Sequence, residues 1–60
     1  MDKILITGSE GLIGKKLVKY YSDKYQILKL DLALGHDLTN EEFVSDWFNN
    51  NPDISSIILL

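Results

Sequence analysis

Three glycines near the N-terminus are spaced so that the backbone, rather than a side chain, could bind an anion. Gly8, Gly11 and Gly14 stand three residues apart, after a short apolar run and before a helical pattern. A strand that enters a helix through such a turn directs unpaired N–H groups and the positive end of the helix dipole at one point. A diphosphate fits that point without a basic side chain. We expect Gly8 to make the turn, Gly11 to leave room for the diphosphate and Gly14 to allow close packing.

An acidic residue follows these glycines at a characteristic distance. Asp31 lies 17 residues after Gly14 and 23 after Gly8, at the end of a second apolar run. Dinucleotide-binding folds place an acid there to accept hydrogen bonds from the adenine ribose. The carboxylate also repels the 2′-phosphate of NADP, and Leu32 offers no positive charge to offset it. The spacing therefore predicts NAD in preference to NADP, against the simpler interpretation of a solvated acid after a strand.

The hydrophobic pattern predicts five elements around these residues. Short apolar runs indicate strands, and apolar residues at helical spacing indicate helices. In order, the elements are a strand over residues 4–6, a helix over residues 12–22, a strand over residues 25–31, a helix over residues 40–49 and a strand over residues 56–60.

Each predicted helix has an apolar face that we expect to pack on the sheet. In the first helix this face consists of Ile13, Leu17, Val18, Tyr20 and Tyr21, and in the second of Phe43, Val44, Trp47 and Phe48. The second helix also follows the sequence Thr-Asn-Glu-Glu, which predicts a capping box begun by Thr39 and closed by Glu42.

The order of the elements predicts an α/β fold with a parallel sheet in the strand order 3-2-1. Right-handed crossovers that advance in one direction place both helices on the same face. The other face, and one edge of the first strand, would then be exposed, which parallel sheets rarely tolerate. We therefore expect residues 1–60 to be the N-terminal β-α-β-α-β half of a Rossmann-type doubly wound domain, incomplete on its own and lacking the substrate-binding region.

Composition excludes several other classes of protein. The chain has 60 residues and a net charge of −3, and its six basic residues are all lysines, which argues against a nucleic-acid partner. It has no cysteine and one histidine, so neither a disulfide nor a metal site is expected. His36 is interpreted as an ordinary loop residue. Without a signal-peptide or membrane-spanning pattern, we expect a cytoplasmic protein of marginal stability.

The glycine segment resembles that of a known family. Residues 7–14, Thr-Gly-Ser-Glu-Gly-Leu-Ile-Gly, resemble the Thr-Gly-x-x-Gly-x-x-Gly loop of short-chain dehydrogenases/reductases. The Leu-Ile-Gly ending is similar to that of the extended branch, which contains nucleotide-sugar epimerases, dehydratases and reductases, although that branch usually has Phe in place of Leu12. The resemblance implies that the cofactor is bound by Gly8, Ser9, Gly11, Leu12, Ile13, Gly14 and Asp31.

A second segment resembles the same family. Asp37-Leu38-Thr39 is similar to the Asp-x-Thr segment that lies beside the adenine ring in the extended branch. The resemblance implies that Asp37 accepts a hydrogen bond from the adenine amino group and that Leu38 packs near the ring. The same residues also suit a loop that leads into a helix, and the two interpretations are compatible.

The resemblance implies that the intact protein moves a hydride between NAD and a sugar carbon, with a catalytic Tyr-x-x-x-Lys pair beyond these residues. Two pairs here match that pattern by chance. Tyr20 is expected on the core side of the first helix, remote from a nicotinamide, and this position excludes a catalytic pair of Tyr20 with Lys24. Tyr25 and Lys29 share a strand face about 13 Å apart. No catalytic residue is therefore assigned.

Two other functions are compatible with the same residues. One is a non-catalytic NAD-binding regulator, which would lack the tyrosine–lysine pair. The other is a structural fragment without a ligand, whose glycines only form a turn, so that Gly11→Ala would affect stability alone. A homodimer is compatible with the resemblance.

Overall fold

The computed structural model, which describes residues 2–60, contains two α-helices and three β-strands. Their bounds are β1 (Lys3–Thr7), α1 (Leu12–Tyr21), β2 (Gln26–Leu30), α2 (Glu41–Asn50) and β3 (Ile54–Ile58), with a 3-10 turn over Leu32–Leu34. The predicted α/β class and parallel sheet are confirmed. The third strand begins and ends two residues earlier than predicted, because Ile54 already pairs with Lys3.

The predicted strand order 3-2-1 is wrong, since the order is β2-β1-β3. β1 pairs in parallel with both neighbours, Leu5 opposite Leu28 on one side and opposite Ile57 on the other. The strand composition explains this arrangement. The unbroken apolar run of β1 suits a strand covered on both faces, whereas Lys29 in β2 and the two serines of β3 suit edges.

The prediction that both helices lie on one face is therefore wrong as well. The connections from β1 to β2 and from β2 to β3 run in opposite directions, and right-handed crossovers then place α1 and α2 on opposite faces. Val44 and Phe48 of α2 accordingly line a cavity of about 280 Å³ with Leu5 and Thr7, on the odd-numbered face of β1. Neither face of the sheet is left without a helix, and β1 is not an edge.

The core is small and centred on β1. Its buried apolar side chains are Ile4, Leu5, Ile6 and Leu30. The prediction that Tyr20 points to the core side of α1 is wrong, because Tyr20 is 65% exposed and its ring lies edge-on to Tyr21 with centroids 4.9 Å apart. Ile13, also expected to pack inward, is 63% exposed beside the glycine segment.

The N-terminus of α2 is capped by Asn40 and not by the predicted capping box. The Asn40 Oδ1 accepts a hydrogen bond from the Phe43 N–H at 3.1 Å. Thr39 lies one residue before the N-cap position, and its hydroxyl donates to Asp37 Oδ1 at 2.6 Å. Among residues 2–60, neither helix is long and apolar enough to cross a bilayer.

Candidate functional site

The glycine loop, residues 8–14, has a geometry that only glycine permits at two positions. Gly8 has φ of 65°, in the left-handed region, and its N–H donates to the Leu30 carbonyl at 2.9 Å. A Cβ on Gly14 would collide with the Gly8 carbonyl oxygen and lie 2.8 Å from Ser9 Cα. The first turn of α1 is therefore pressed directly against the loop, at the carboxyl end of β1.

The N-terminus of α1 has no internal cap. Gly11 is the N-cap residue and has no side chain, and the first turn of α1 contains no acid. Within residues 2–60, the N–H groups of Leu12, Ile13 and Gly14 have no hydrogen-bond acceptor. Three donors and the positive end of the helix dipole are thus left for an external anion.

The residues that carry these donors line a cavity of about 590 Å³, here called the loop cavity. Six residues predicted to bind the cofactor line it together with Leu60, namely Gly8, Gly11, Leu12, Ile13, Gly14 and Asp31. Ser9, the remaining predicted residue of the loop, does not line it. Its side chain is fully buried, and its Oγ has no hydrogen-bond partner within the described residues.

Asp31 connects the glycine loop to the end of β2. One carboxylate oxygen, Oδ2, accepts from the Glu10 N–H at 2.9 Å, and the other, Oδ1, accepts from the Ala33 N–H at 2.8 Å. The N–H groups of Ala33 and then Glu10 hold the pKa of the Asp31 carboxyl below its usual value. The group is therefore ionised at neutral pH, and each oxygen retains acceptor capacity for a further donor such as a hydroxyl.

A second cavity of about 310 Å³, here called the side cavity, adjoins the loop cavity, and both are bordered by Gly8, Asp31 and Leu60. Asp37, Leu38 and Thr39 also line it, so the structure brings both predicted adenine-contacting residues beside Asp31. Leu38 is 45% exposed and presents an apolar surface there. The pKa of the Asp37 carboxyl is lowered by the hydroxyl and then the N–H of Thr39.

Two residues of this region were not identified from the sequence. His36 accepts a hydrogen bond on Nδ1 from the Asp31 N–H at 3.2 Å, and its ring stacks on Phe43 at 5.7 Å. Leu60 borders both cavities, and its N–H donates to Thr7 Oγ1 at 3.2 Å. The rule that parallel strands end at one edge of the sheet could have indicated Leu60, because it follows β3 as Asp31 follows β2. No comparable signal marks His36.

The chance match to a tyrosine–lysine pair lies away from both cavities. Tyr20 is at the C-terminal end of α1, about 12 Å along the helix from Leu12, and Lys24 lies in the turn that follows the helix. The Lys24 Nζ lies 5.8 Å from the centroid of the Tyr20 ring, as in a surface cation–π contact. In residues 2–60 no His, Cys, Asp and Glu side chains form a group that could hold a metal ion.

Comparison of the chain with protein-family models, with curated proteins and with solved structures finds no match in any of the three. The resemblance to the extended short-chain dehydrogenases/reductases therefore rests on the glycine loop and on residues 37–39. The geometry adds an uncapped helix N-terminus, an ionised carboxylate and a side cavity that contains both Asp37 and the apolar Leu38, all at one edge of the sheet.

Proposed function

We propose that this chain is the NAD-binding segment of an NAD-dependent oxidoreductase of the extended short-chain dehydrogenase/reductase type. In the intact protein the substrate would be a sugar or nucleotide sugar, and the reaction an epimerisation, dehydration or reduction. One observation carries the proposal. Leu12, Ile13 and Gly14, whose N–H groups have no partner within residues 2–60, line the same cavity as the ionised Asp31.

The dimensions and chemistry of this edge of the sheet suit a dinucleotide. The diphosphate would bind at the N-terminus of α1, where a helix dipole and free N–H groups stabilise negative charge. The adenine ribose would donate its hydroxyls to Asp31, and the adenine ring would enter the side cavity beside Leu38. The β2-β1-β3 order differs from the 3-2-1 order expected of a Rossmann-type half, but the direction of the connections still reverses at β1, and ligands of doubly wound sheets bind at such a reversal.

The same residues favour NAD over NADP. Neither cavity has a lysine or arginine among its lining residues, so a 2′-phosphate would find no positive side chain. It would instead approach the Asp31 carboxylate, whose lowered pKa keeps it charged. Leu32, the next residue, is 75% exposed and apolar.

When bound, NAD would supply the hydride acceptor, and the residues described here would only hold and orient it. The three N–H groups would fix the diphosphate, and Asp31 would fix the adenosine half. The resemblance implies that the base on a sugar hydroxyl would be the tyrosine of a Tyr-x-x-x-Lys pair outside residues 1–60.

Isothermal titration calorimetry of the full chain with NAD and NADP tests the proposal. We expect saturable one-site binding of NAD, and weaker binding of NADP by roughly tenfold because of the unpaired charge repulsion at Asp31. AMP serves as a partial ligand and should bind more weakly than NAD. The absence of NAD binding, or equal affinities for NAD and NADP, would contradict the proposal.

A further inference from the structure

His36 binds both backbone groups of Asp31. Its own N–H donates to the Asp31 carbonyl at 3.1 Å, and its ring Nδ1 accepts a hydrogen bond from the Asp31 N–H at 3.2 Å. The ring stacks on Phe43 of α2, with the two centroids 5.7 Å apart and the planes inclined by 15°. The loop after β2 is thus closed on the residue that is proposed to bind the adenine ribose, and α2 supports the ring that closes it.

This geometry fixes the protonation state that the contact requires. A ring nitrogen that accepts from a backbone N–H carries no proton, so the neutral ring of His36 has its proton on Nε2. An imidazolium has two N–H donors and no acceptor, and would set a donor against the Asp31 N–H. Histidine is also the side chain whose charge ordinarily changes between about pH 5 and pH 8. Protonation would therefore break the hydrogen bond to Asp31 and add a positive charge beside it.

Two carboxylates lie near this ring. Asp31 and Asp37 line the side cavity together with His36. The N–H groups of Ala33 and then Glu10 are the main causes of the lowered pKa of the Asp31 carboxyl, burial opposes them, and a positive charge on His36 lowers this pKa further. The ring and the Asp31 carboxylate are therefore close enough for the charge of one to affect the other.

The other elements around the ring bring no positive charge. From α2 the ring meets the uncharged Phe43, and the same turn of the helix carries the exposed acids Glu41 and Glu42. From the glycine loop, Glu10 reaches Asp31 through its backbone N–H. Among the described residues that line the side cavity, His36 alone can carry a positive charge.

We propose that His36 is a specificity-determining residue whose protonation shifts the preference of the site from NAD towards NADP. The inference rests on the proposed function, which places the adenine ribose at Asp31. Neutral His36 holds Asp31 where its carboxylate accepts the ribose hydroxyls, which favours NAD. Protonated His36 releases the Asp31 N–H and offsets the negative charge that repels a 2′-phosphate, so that NAD loses affinity and NADP gains it.

The first test observes the ring without a cofactor. His36 is the only histidine of the chain, so its ring nitrogens give a single set of signals in a long-range ¹H–¹⁵N correlation spectrum of the labelled full chain. At about pH 8 we expect the proton on Nε2 and an acceptor at Nδ1. On acidification, the backbone amide signal of Asp31 should shift together with the ring signals. A proton on Nδ1 at about pH 8 would overturn this inference and leave the proposed function standing.

The second test measures the affinities of the full chain for NAD and NADP by calorimetric titration at about pH 8 and about pH 5.5. In the wild type, the ratio of the NAD affinity to the NADP affinity should fall about tenfold, because one hydrogen bond is lost and one charge is gained. The 2′-phosphate itself gains a proton near about pH 6, so part of this fall needs no histidine. His36→Asn measures that part, since the asparagine Oδ1 can replace Nδ1 as the acceptor but stays uncharged.

A second variant separates the charge from the acceptor. His36→Lys supplies a positive charge at both pH values and no acceptor for the Asp31 N–H. Its affinity ratio at about pH 8 should already be close to the ratio that the wild type reaches at about pH 5.5. Circular dichroism of each variant at both pH values gives the folded fraction by which the affinities are corrected.

The outcomes separate the two proposals. If the wild type binds neither dinucleotide at about pH 8, where a histidine is neutral, the proposed function fails and this inference fails with it. If NAD is preferred there but the ratio falls equally in the wild type and in His36→Asn, the proposed function stands and this inference is overturned. An unchanged preference for NAD in His36→Lys would overturn it as well. A larger fall in the wild type than in His36→Asn, with a low ratio in His36→Lys at both pH values, supports it.

Discussion

The two helices are the same length but begin in opposite ways. At α2 the Asn40 side chain caps the first turn, and the negative charges of Glu41 and Glu42 interact favourably with the positive end of the helix dipole. At α1 the N-cap is Gly11, no acid stands in the first turn, and Leu12, Ile13 and Gly14 line the loop cavity. The first turn of α2 is capped by its own sequence, whereas that of α1 leaves three N–H groups for solvent or an external anion.

Under the proposed function, this difference marks the place where the chain gives up stability for binding. Asn and Asp are among the best N-cap residues, and a favourable cap contributes about 1 kcal/mol to helix stability. Gly11 has backbone angles of φ −72° and ψ 171°, which are ordinary for an N-cap residue and do not require glycine. Open space for a ligand, rather than backbone conformation, is therefore the reason we give for glycine at this position.

The largest expected effect comes from adding a methyl group at the point where α1 packs against the glycine loop. In Gly14→Ala the new methyl group would collide with the Gly8 carbonyl oxygen, which belongs to the backbone and cannot move aside easily. We expect a loss of about 3 kcal/mol or more in the free energy of unfolding, measured by urea titration followed by circular dichroism. Gly11→Ala is the matched control, because its Cβ would meet the same oxygen at the milder distance of 3.3 Å. Equal stability of the two variants would contradict this packing.

The next effect comes from giving α1 the kind of cap that α2 has. Gly11→Asp would place a carboxylate at the N-terminus of α1, where it competes with a diphosphate for the free N–H groups. We expect NAD affinity to fall by about a hundredfold, with a smaller fall in Gly11→Ala, which adds the Cβ without the charge. If Gly11→Asp bound NAD as the wild type does, the α1 terminus could not be the diphosphate site.

A smaller effect on binding is expected from Asp31→Ala. Removal of the carboxylate would cost NAD its ribose contacts and weaken its binding by roughly tenfold. NADP would lose less, because repulsion of its 2′-phosphate would disappear with the charge. Titration with both dinucleotides measures the ratio, and Asp46→Ala, at an exposed position of α2, serves as the control. An unchanged ratio would refute the assignment of Asp31 to the ribose.

The internal cap of α2 should matter for stability alone. Asn40→Ala removes the acceptor of the Phe43 N–H and should lower the free energy of unfolding by about 1 kcal/mol. NAD affinity should be unchanged once the folded fraction is accounted for. A large loss of NAD affinity in this variant would show that the two helix termini do not have the separate roles assigned to them.

The smallest effect concerns acid stability. The pKa values of Asp31, Asp37 and Asp53 are lowered in the folded chain, that of Asp53 chiefly by a hydrogen bond from Lys3. Their stabilisation is complete above the unfolded pKa of about 3.9 and is lost as the pH falls through the lower folded values. The urea midpoint should therefore be level between about pH 5 and pH 7 and fall below about pH 4. A midpoint that rises on acidification would contradict these contacts.

Local elements were predictable from the sequence because their signals are local. The apolar run of β1, the glycine turn at Gly8 and the helical spacing of α1 each depend on neighbours in the chain. The approach of Asp31 to the glycine loop was also anticipated, since parallel strands end at the same edge of a sheet.

The strand order was not predicted, although part of its signal was present. An unbroken apolar run such as that of β1 favours a central strand, and Lys29 in β2 favours an edge. The prediction instead followed the expectation that strands consecutive in the chain lie side by side in the sheet. The exposure of Tyr20 was missed because it depends on how little of α1 the sheet covers. The cap at Asn40 was missed because it depends on where the chain turns around residues 37–39.

The most direct test is an NMR titration of the ¹⁵N-labelled full chain with NAD, which observes both helix termini at once. We expect the backbone amide signals of Leu12, Ile13 and Gly14 to shift most, those of Glu41, Glu42 and Phe43 to shift less, and Gly11→Asp to abolish the shifts at α1. Shifts confined to α2, or an absence of any change at saturating NAD, would contradict the claim that the uncapped terminus of α1 binds the diphosphate.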